Sequence, residues 1–130
     1  MSATASKLRI LVVDDEPSVS NAVKLLLQAD GHHVETSGSA KDALARFEEN
    51  RFDLVFTDFA MPEMKGDQLA AAIKERAPEQ PVVMLTAYPG AVPRSTRVDH
   101  IVGKPFRLQQ LREAITKVLT EKSCPAARAA

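Results

Sequence analysis

Five side chains in this sequence are spaced so that they could do chemistry together: Asp14, Asp15, Asp58, Thr86 and Lys104. Each stands at or just beyond the end of a short apolar run: LRILVV before the acidic pair, LVFT before Asp58, VVML before Thr86 and HIV before Gly103-Lys104. Carboxylates gathered at one place repel one another and stay ionised only where positive charge is close. A hard divalent cation answers that need, because Mg²⁺ favours a few carboxylates together with water and phosphate oxygens. Lys104 adds a point charge able to pair with a phosphoryl oxygen, and Thr86 adds a hydroxyl. The set suits Mg²⁺ (or Mn²⁺) with a phosphoryl group beside it.

What must position these groups is an alternation of strands and helices. The runs at 8–13, 33–37 (the weakest), 53–57, 81–86 and 99–102 have the length and apolar content of strands buried on both faces. Helical spacing fills the intervals. Val19, Ala22, Val23 and Leu26 recur at one face after Pro17, and Ala40, Ala43, Leu44 and Phe47 do so after Ser39, a suitable N-cap. Leu69, Ala72, Ile73 and Arg76 repeat the pattern up to Pro78, and Leu108, Leu111, Ile115, Val118 and Leu119 line a last helix. This order predicts a doubly wound α/β fold around a parallel sheet with right-handed crossovers. Ligands of such sheets bind beyond the carboxyl ends of the strands, which is where the five side chains meet. Between Thr86 and Asp99 the rhythm fails. Pro89, Gly90 and Pro93 leave room for a loop or at most a turn or two of helix.

A chain of 130 residues suits one domain, here 7–121, with flexible ends at 1–6 and 122–130. Seventeen basic residues balance seventeen acidic ones, with no basic strip, so direct nucleic-acid binding is not expected. Cys124 stands alone near the C-terminus, which excludes an internal disulfide and a multi-cysteine metal site. The opening MSATASKLRI is too soon broken by Asp14 for a signal peptide or a membrane span, and a cytoplasmic protein with no membrane partner is expected.

LVVDDE at 11–16, TDFAMPEMKG at 57–66, LTA at 85–87 and GKPF at 103–106 together resemble the signature of response-regulator receiver domains, the CheY-like family. The resemblance covers 7–121 and implies a flavodoxin-like five-stranded sheet of order 2-1-3-4-5, here with the fourth helix short or missing. It implies that Asp58 accepts a phosphoryl group from a histidine kinase or a histidine phosphotransfer protein. Asp15, Asp58 and the Ala60 carbonyl would ligate Mg²⁺ directly, with Asp14 acting through water. Lys104 would pair with Asp58 and then with the phosphoryl group, which the Thr86 hydroxyl and the Ala87 amide would also meet. Lys104-Pro105 would be a cis peptide, and Gly66 would supply a turn opening the third helix. An unknown downstream protein would read the modified state.

The sequence departs from the family at Ile101, where receivers often carry an aromatic ring, so readout by ring rotation is not expected. The alternative within the family is a phosphate sink or relay receiver from a hybrid histidine kinase. An aspartate-nucleophile phosphatase would carry a second Asp at position 60, where Ala60 stands, so turnover of external substrates is not expected. A flavin carrier would need a phosphate-binding loop where Asp14-Asp15-Glu16 would repel phosphate. Glu16 reads as a helix-entry residue. His32 and His33, after the Asp30-Gly31 turn, read as structural, and Met61 and Met64 as packing.

Overall fold

The computed structural model describes residues 7–47, 51–93 and 95–122. Its elements are β1 (Arg9–Val13), α1 (Pro17–Ala29), β2 (His33–Ser37), α2 (Ala40–Arg46), β3 (Leu54–Asp58), α3 (Gly66–Arg76), β4 (Val82–Thr86), β5 (His100–Gly103) and α4 (Leu108–Lys122), with a single 3₁₀ turn, Pro89–Ala91, in the β4–β5 crossover. The strands form one parallel sheet in the order β2-β1-β3-β4-β5. This is the doubly wound order expected, and the missing fourth helix is the proline-broken interval. Cys124 and the expected tails lie outside the described residues, except that α4 reaches Lys122.

The strand period of two explains the layers. Ile10, Val12, Leu54, Phe56, Val83 and Leu85 face one side and pack with Val23 and Leu27 of α1 and Leu111 and Ala114 of α4. Leu11, Val13, Val55 and Val82 face the other side and meet Ala40 and Ala43 of α2 and Leu69, Ala70 and Ile73 of α3. Each such Val, Leu, Ile or Phe side chain, fully withdrawn from water, stabilises the fold by about 1.5–3 kcal/mol before chain entropy is counted. Two helix faces differ from the expected ones. In α1 the buried line is Ser20, Val23 and Leu27, with Ala22 exposed, and in α3 it is Leu69, Ala70, Ile73 and Lys74, with Arg76 exposed. In α1 Val19 and Leu26 still pack against the core, and the centre of the stripe shifts by about one residue as Ser20 turns inward. In α3 the shift arises because Lys74 carries its charge inward to a partner.

Strand starts also shift by a residue, for a visible reason. Asp53 and Asp99 precede β3 and β5 instead of joining them, and their carboxylates accept from the amides of Arg9 (2.8 Å) and Val82 (2.8 Å) on neighbouring strands. Ser39 caps α2 as expected, accepting from the Asp42 amide at 3.0 Å.

Candidate functional site

β1 and β3 are neighbours, so the acidic pair after Val13 and the Asp58 that ends β3 emerge side by side at the carboxyl edge. Asp14 is 2% exposed, Asp58 9%, and Asp15 faces solvent. One carboxylate oxygen from each of the three lies within 4.8 Å of the others. At an effective dielectric near 20, unit charges that close repel by on the order of 3 kcal/mol per pair, less for the solvated Asp15. Lys104 is the counter-charge. Its Nζ donates to Asp58 Oδ1 at 3.0 Å and to Asp14 Oδ2 at 3.1 Å. Asp14 is further fixed by the Glu16 amide, which donates to its Oδ1 at 2.9 Å.

The balance of these forces shows in the ionisation of the groups. Burial pushes the Asp58 carboxyl above the ordinary carboxylate range; the Lys104 hydrogen bond pulls it back, and the charge of Asp14 pushes it up again. For Lys104, burial works against the ammonium, but hydrogen bonds to Asp58 and Asp14 outweigh it and hold the amine above its usual value. Three carboxylates against one ammonium leave an uncompensated negative charge, most of it from buried groups. That donor set, all oxygen and partly open through Asp15, fits a hard divalent cation.

The other expected site residues fall at the same edge. Asp58 pairs with Leu85 across β3 and β4, which sets Thr86 one residue further out, 4% exposed. The Thr86 carbonyl accepts from the Lys104 amide at 2.7 Å, and its hydroxyl accepts from the Tyr88 amide at 3.1 Å. The hydroxyl is therefore tied to the 3₁₀ turn that follows. Ala87 is exposed directly after Thr86, and Ala60 is exposed in the loop beyond Asp58. Lys104-Pro105 is cis. Ile101 is a half-buried aliphatic residue paired with Met84, with no ring to turn.

Residues given a structural reading keep it. Glu16 stands exposed at the N-cap of α1, Met61 is buried, and Met64 packs beside it. His32 Nδ1 accepts from the Leu8 amide at 3.2 Å, and burial lowers its pKa. Two features were not legible beforehand. The bond from Lys104 to Asp14 was missed, although the position of Asp14 at the very end of a buried strand was its signal. Gly66 opens α3 as expected, and it carries a second constraint that was not foreseen. The left-handed turn in this loop is made by Glu63 at φ 67°, while Gly66 is needed for a close approach to Asp58.

A family model described as the response regulator receiver domain matches residues 10–116. Among curated proteins, the chain is 30% identical over 125 residues to the transcriptional regulatory protein TrcR of Mycobacterium tuberculosis, covering 93% of this chain and 49% of that one. It is 36% identical over 122 residues to the transcriptional regulatory protein GlrR of Escherichia coli, covering 90% of this chain and 27% of that one. The chain thus spans about half the length of these relatives or less. Among solved structures, the response regulator protein TrrA of Thermotoga maritima, in complex with Mg²⁺-BeF, superposes with a TM-score of 0.80 at 33% identity, over 87% of this chain and 99% of that one.

Proposed function

The chain belongs to the response regulator receiver domain family of two-component systems, and from that premise we propose that Asp58 is its phosphoacceptor, charged by a histidine kinase or a histidine phosphotransfer protein. The observation that carries this is the Lys104 ammonium bridging Asp58 and Asp14, beside a third carboxylate and an excess of negative charge. An Asp58 carboxylate oxygen attacks the phosphorus of a phosphohistidine. The new P–O bond forms as the P–N bond breaks, and the electron pair stays on the imidazole nitrogen, which takes up a proton. Lys104 is placed to follow the charge from the carboxylate to a phosphoryl oxygen, and the Thr86 hydroxyl and Ala87 amide are the neighbouring donors. Asp15, Asp58 and the Ala60 carbonyl would hold Mg²⁺ (or Mn²⁺), with Asp14 helping through water. Bound there, the ion supplies the charge that lets carboxylates and phosphoryl oxygens share one site.

With no acid at position 60, this is a module that modifies itself and turns over no external substrate. Its output is a change in protein binding, with relay of the phosphoryl group from a hybrid kinase as the alternative. TrcR and GlrR are transcriptional regulators by name, and their extra length leaves room for other domains; the residues described here need touch only proteins. Since the Thr86 hydroxyl is bonded to the Tyr88 amide, its movement toward a phosphoryl group would release the turn at Pro89–Ala91. Hydrogen exchange at 87–93 should therefore change with a phosphoryl mimic bound, and unchanged rates would reject this route.

Incubation with phosphoramidate and Mg²⁺ should add one phosphoryl group by intact-mass spectrometry. Asp58→Asn should abolish the adduct, and a chelator should suppress it. An equal yield in the variant would overturn the assignment of Asp58.

A further inference from the structure

Asp58 is held from behind as well as from in front. Thr57, fully buried at the centre of the sheet, donates its hydroxyl to the Asp58 carbonyl at 2.9 Å. Against that same carbonyl stands Gly66, the first residue of α3. A Cβ built on Gly66 would fall on the Asp58 carbonyl oxygen, inside any contact distance, and would lie 3.0 Å from both the Asp58 carbonyl carbon and the Phe59 Cα. These are backbone atoms, so no flexible side chain can swing away to make room. The Gly66 amide in turn donates to the Phe59 carbonyl at 2.8 Å, which closes the loop onto its own start.

Gly66 cannot easily retreat. The helix it opens is anchored by Leu69, Ala70 and Ile73, all at 0% exposure. Its glycine is required by proximity, since among the described residues the positive φ values belong to Glu63 and Gly31. We infer that Thr57 and Gly66 are positioning residues for Asp58: the hydroxyl and the bare Cα clamp its backbone, and that clamp aims the carboxylate toward Lys104 and the neighbouring acids. Neither touches the reacting atoms. Their effect is geometric, and misplacing a reacting group by about 1 Å can cost about 100-fold in rate.

The inference rests on the phosphoacceptor reading for its rate measurement alone, so two readouts are needed. The first is the carboxyl ¹³C resonance of Asp58 and the amide resonance of Phe59, in metal-free buffer at one pH. The second is the initial rate of modification by phosphoramidate with Mg²⁺. Gly66→Ala should displace both resonances and slow modification by tenfold or more. Thr57→Val keeps the shape of the side chain and removes the hydroxyl; it should act in the same direction with a smaller effect, and Thr57→Ser should restore both readouts. If Gly66→Ala does not fold, the Thr57 pair decides. Wild-type resonances and rates in Thr57→Val, even with a lowered melting temperature, would reduce the contact to a structural role and overturn the inference. If the wild type is not modified at all, the phosphoacceptor reading fails, and the resonances alone decide the positioning claim.

Discussion

The two ends of the sheet handle charge in opposite ways. Toward the amino end, acids meet bases: Asp53 with Arg9, Asp99 with Lys74 and Asp30 with Arg112. At the carboxyl end Lys104 bridges Asp14 and Asp58, and Asp15 joins their carboxylate cluster with no base of its own among the described residues, so three acids gather around one ammonium. The balanced end holds the fold. Lys74 shows how: its Nζ donates to the Gln80 carbonyl at 2.6 Å and to Asp99 at 2.7 Å, while Asp99 also accepts from the Val82 amide. That cluster ties α3 to the starts of β4 and β5, in the crossover where a helix would otherwise stand. The unbalanced end carries a standing electrostatic cost, which any bound cation relieves. An excess of one sign among buried groups marks where a ligand of the opposite charge fits.

The strongest way to break this contrast is to supply the missing charge. Mg²⁺ at a hundred times its Kd should stabilise the wild type by about 2.7 kcal/mol, provided it binds only the folded state. Asp15→Ala should lose most of that gain at the same concentration, whereas Glu16→Ala should keep it, because Glu16 lies outside the carboxylate cluster. Thermal melts with and without the ion decide; equal losses in the two variants would draw Glu16 into the site. Next in size is the balanced end. Lys74→Met should destabilise by about 2 kcal/mol, below the 3–5 typical of a broken buried pair because Asp99 retains contact with water. Phosphorylation of Asp58 should be unaffected by that change. A Lys74→Met protein of wild-type stability would show that the cluster does not hold the crossover.

How much of this contrast could be read from the residues alone follows from its physics. The carboxyl end was legible because Asp14, Asp58, Thr86 and Lys104 each close an apolar run, and a parallel sheet brings its strand ends to one edge. The absent fourth helix was legible from Pro89, Gly90 and Pro93. The amino end was not. Nothing in the spacing of Lys74 and Asp99, or of Asp30 and Arg112, announces that they meet, since their pairing depends on crossover lengths and helix phase. The one-residue error in the faces of α1 and α3 has the same root: periodicity gives the width of an apolar stripe, while the buried polar residues Ser20 and Lys74 set its phase. The clamp on Asp58 was invisible too, because a glycine kept for proximity looks in sequence like a glycine kept for a turn.

The smallest expected effect sharpens the contrast through pH. Asp58 has a folded pKa raised by burial, against the pull of Lys104. An acid of that kind holds its proton more readily when folded, so its contribution to stability falls as pH rises from its unfolded value through its folded one. Asp30 is the reverse. Its hydrogen bonds from Arg112 hold its pKa low against the opposing effect of burial, so its contribution is present above the unfolded value and is lost as pH falls through the folded one. In metal-free buffer Asp58→Asn should therefore melt a few degrees higher than the wild type at neutral pH, with the gain shrinking toward acid as the wild-type carboxyl takes its proton. Arg112→Ala should melt slightly lower at neutral pH, the deficit small because the guanidinium is solvated, and it should match the wild type once Asp30 is protonated. Melting temperatures of the three proteins across an acid-to-neutral series give both slopes. Opposite signs are required; parallel profiles would mean that the two ends do not differ in the way their charges are held.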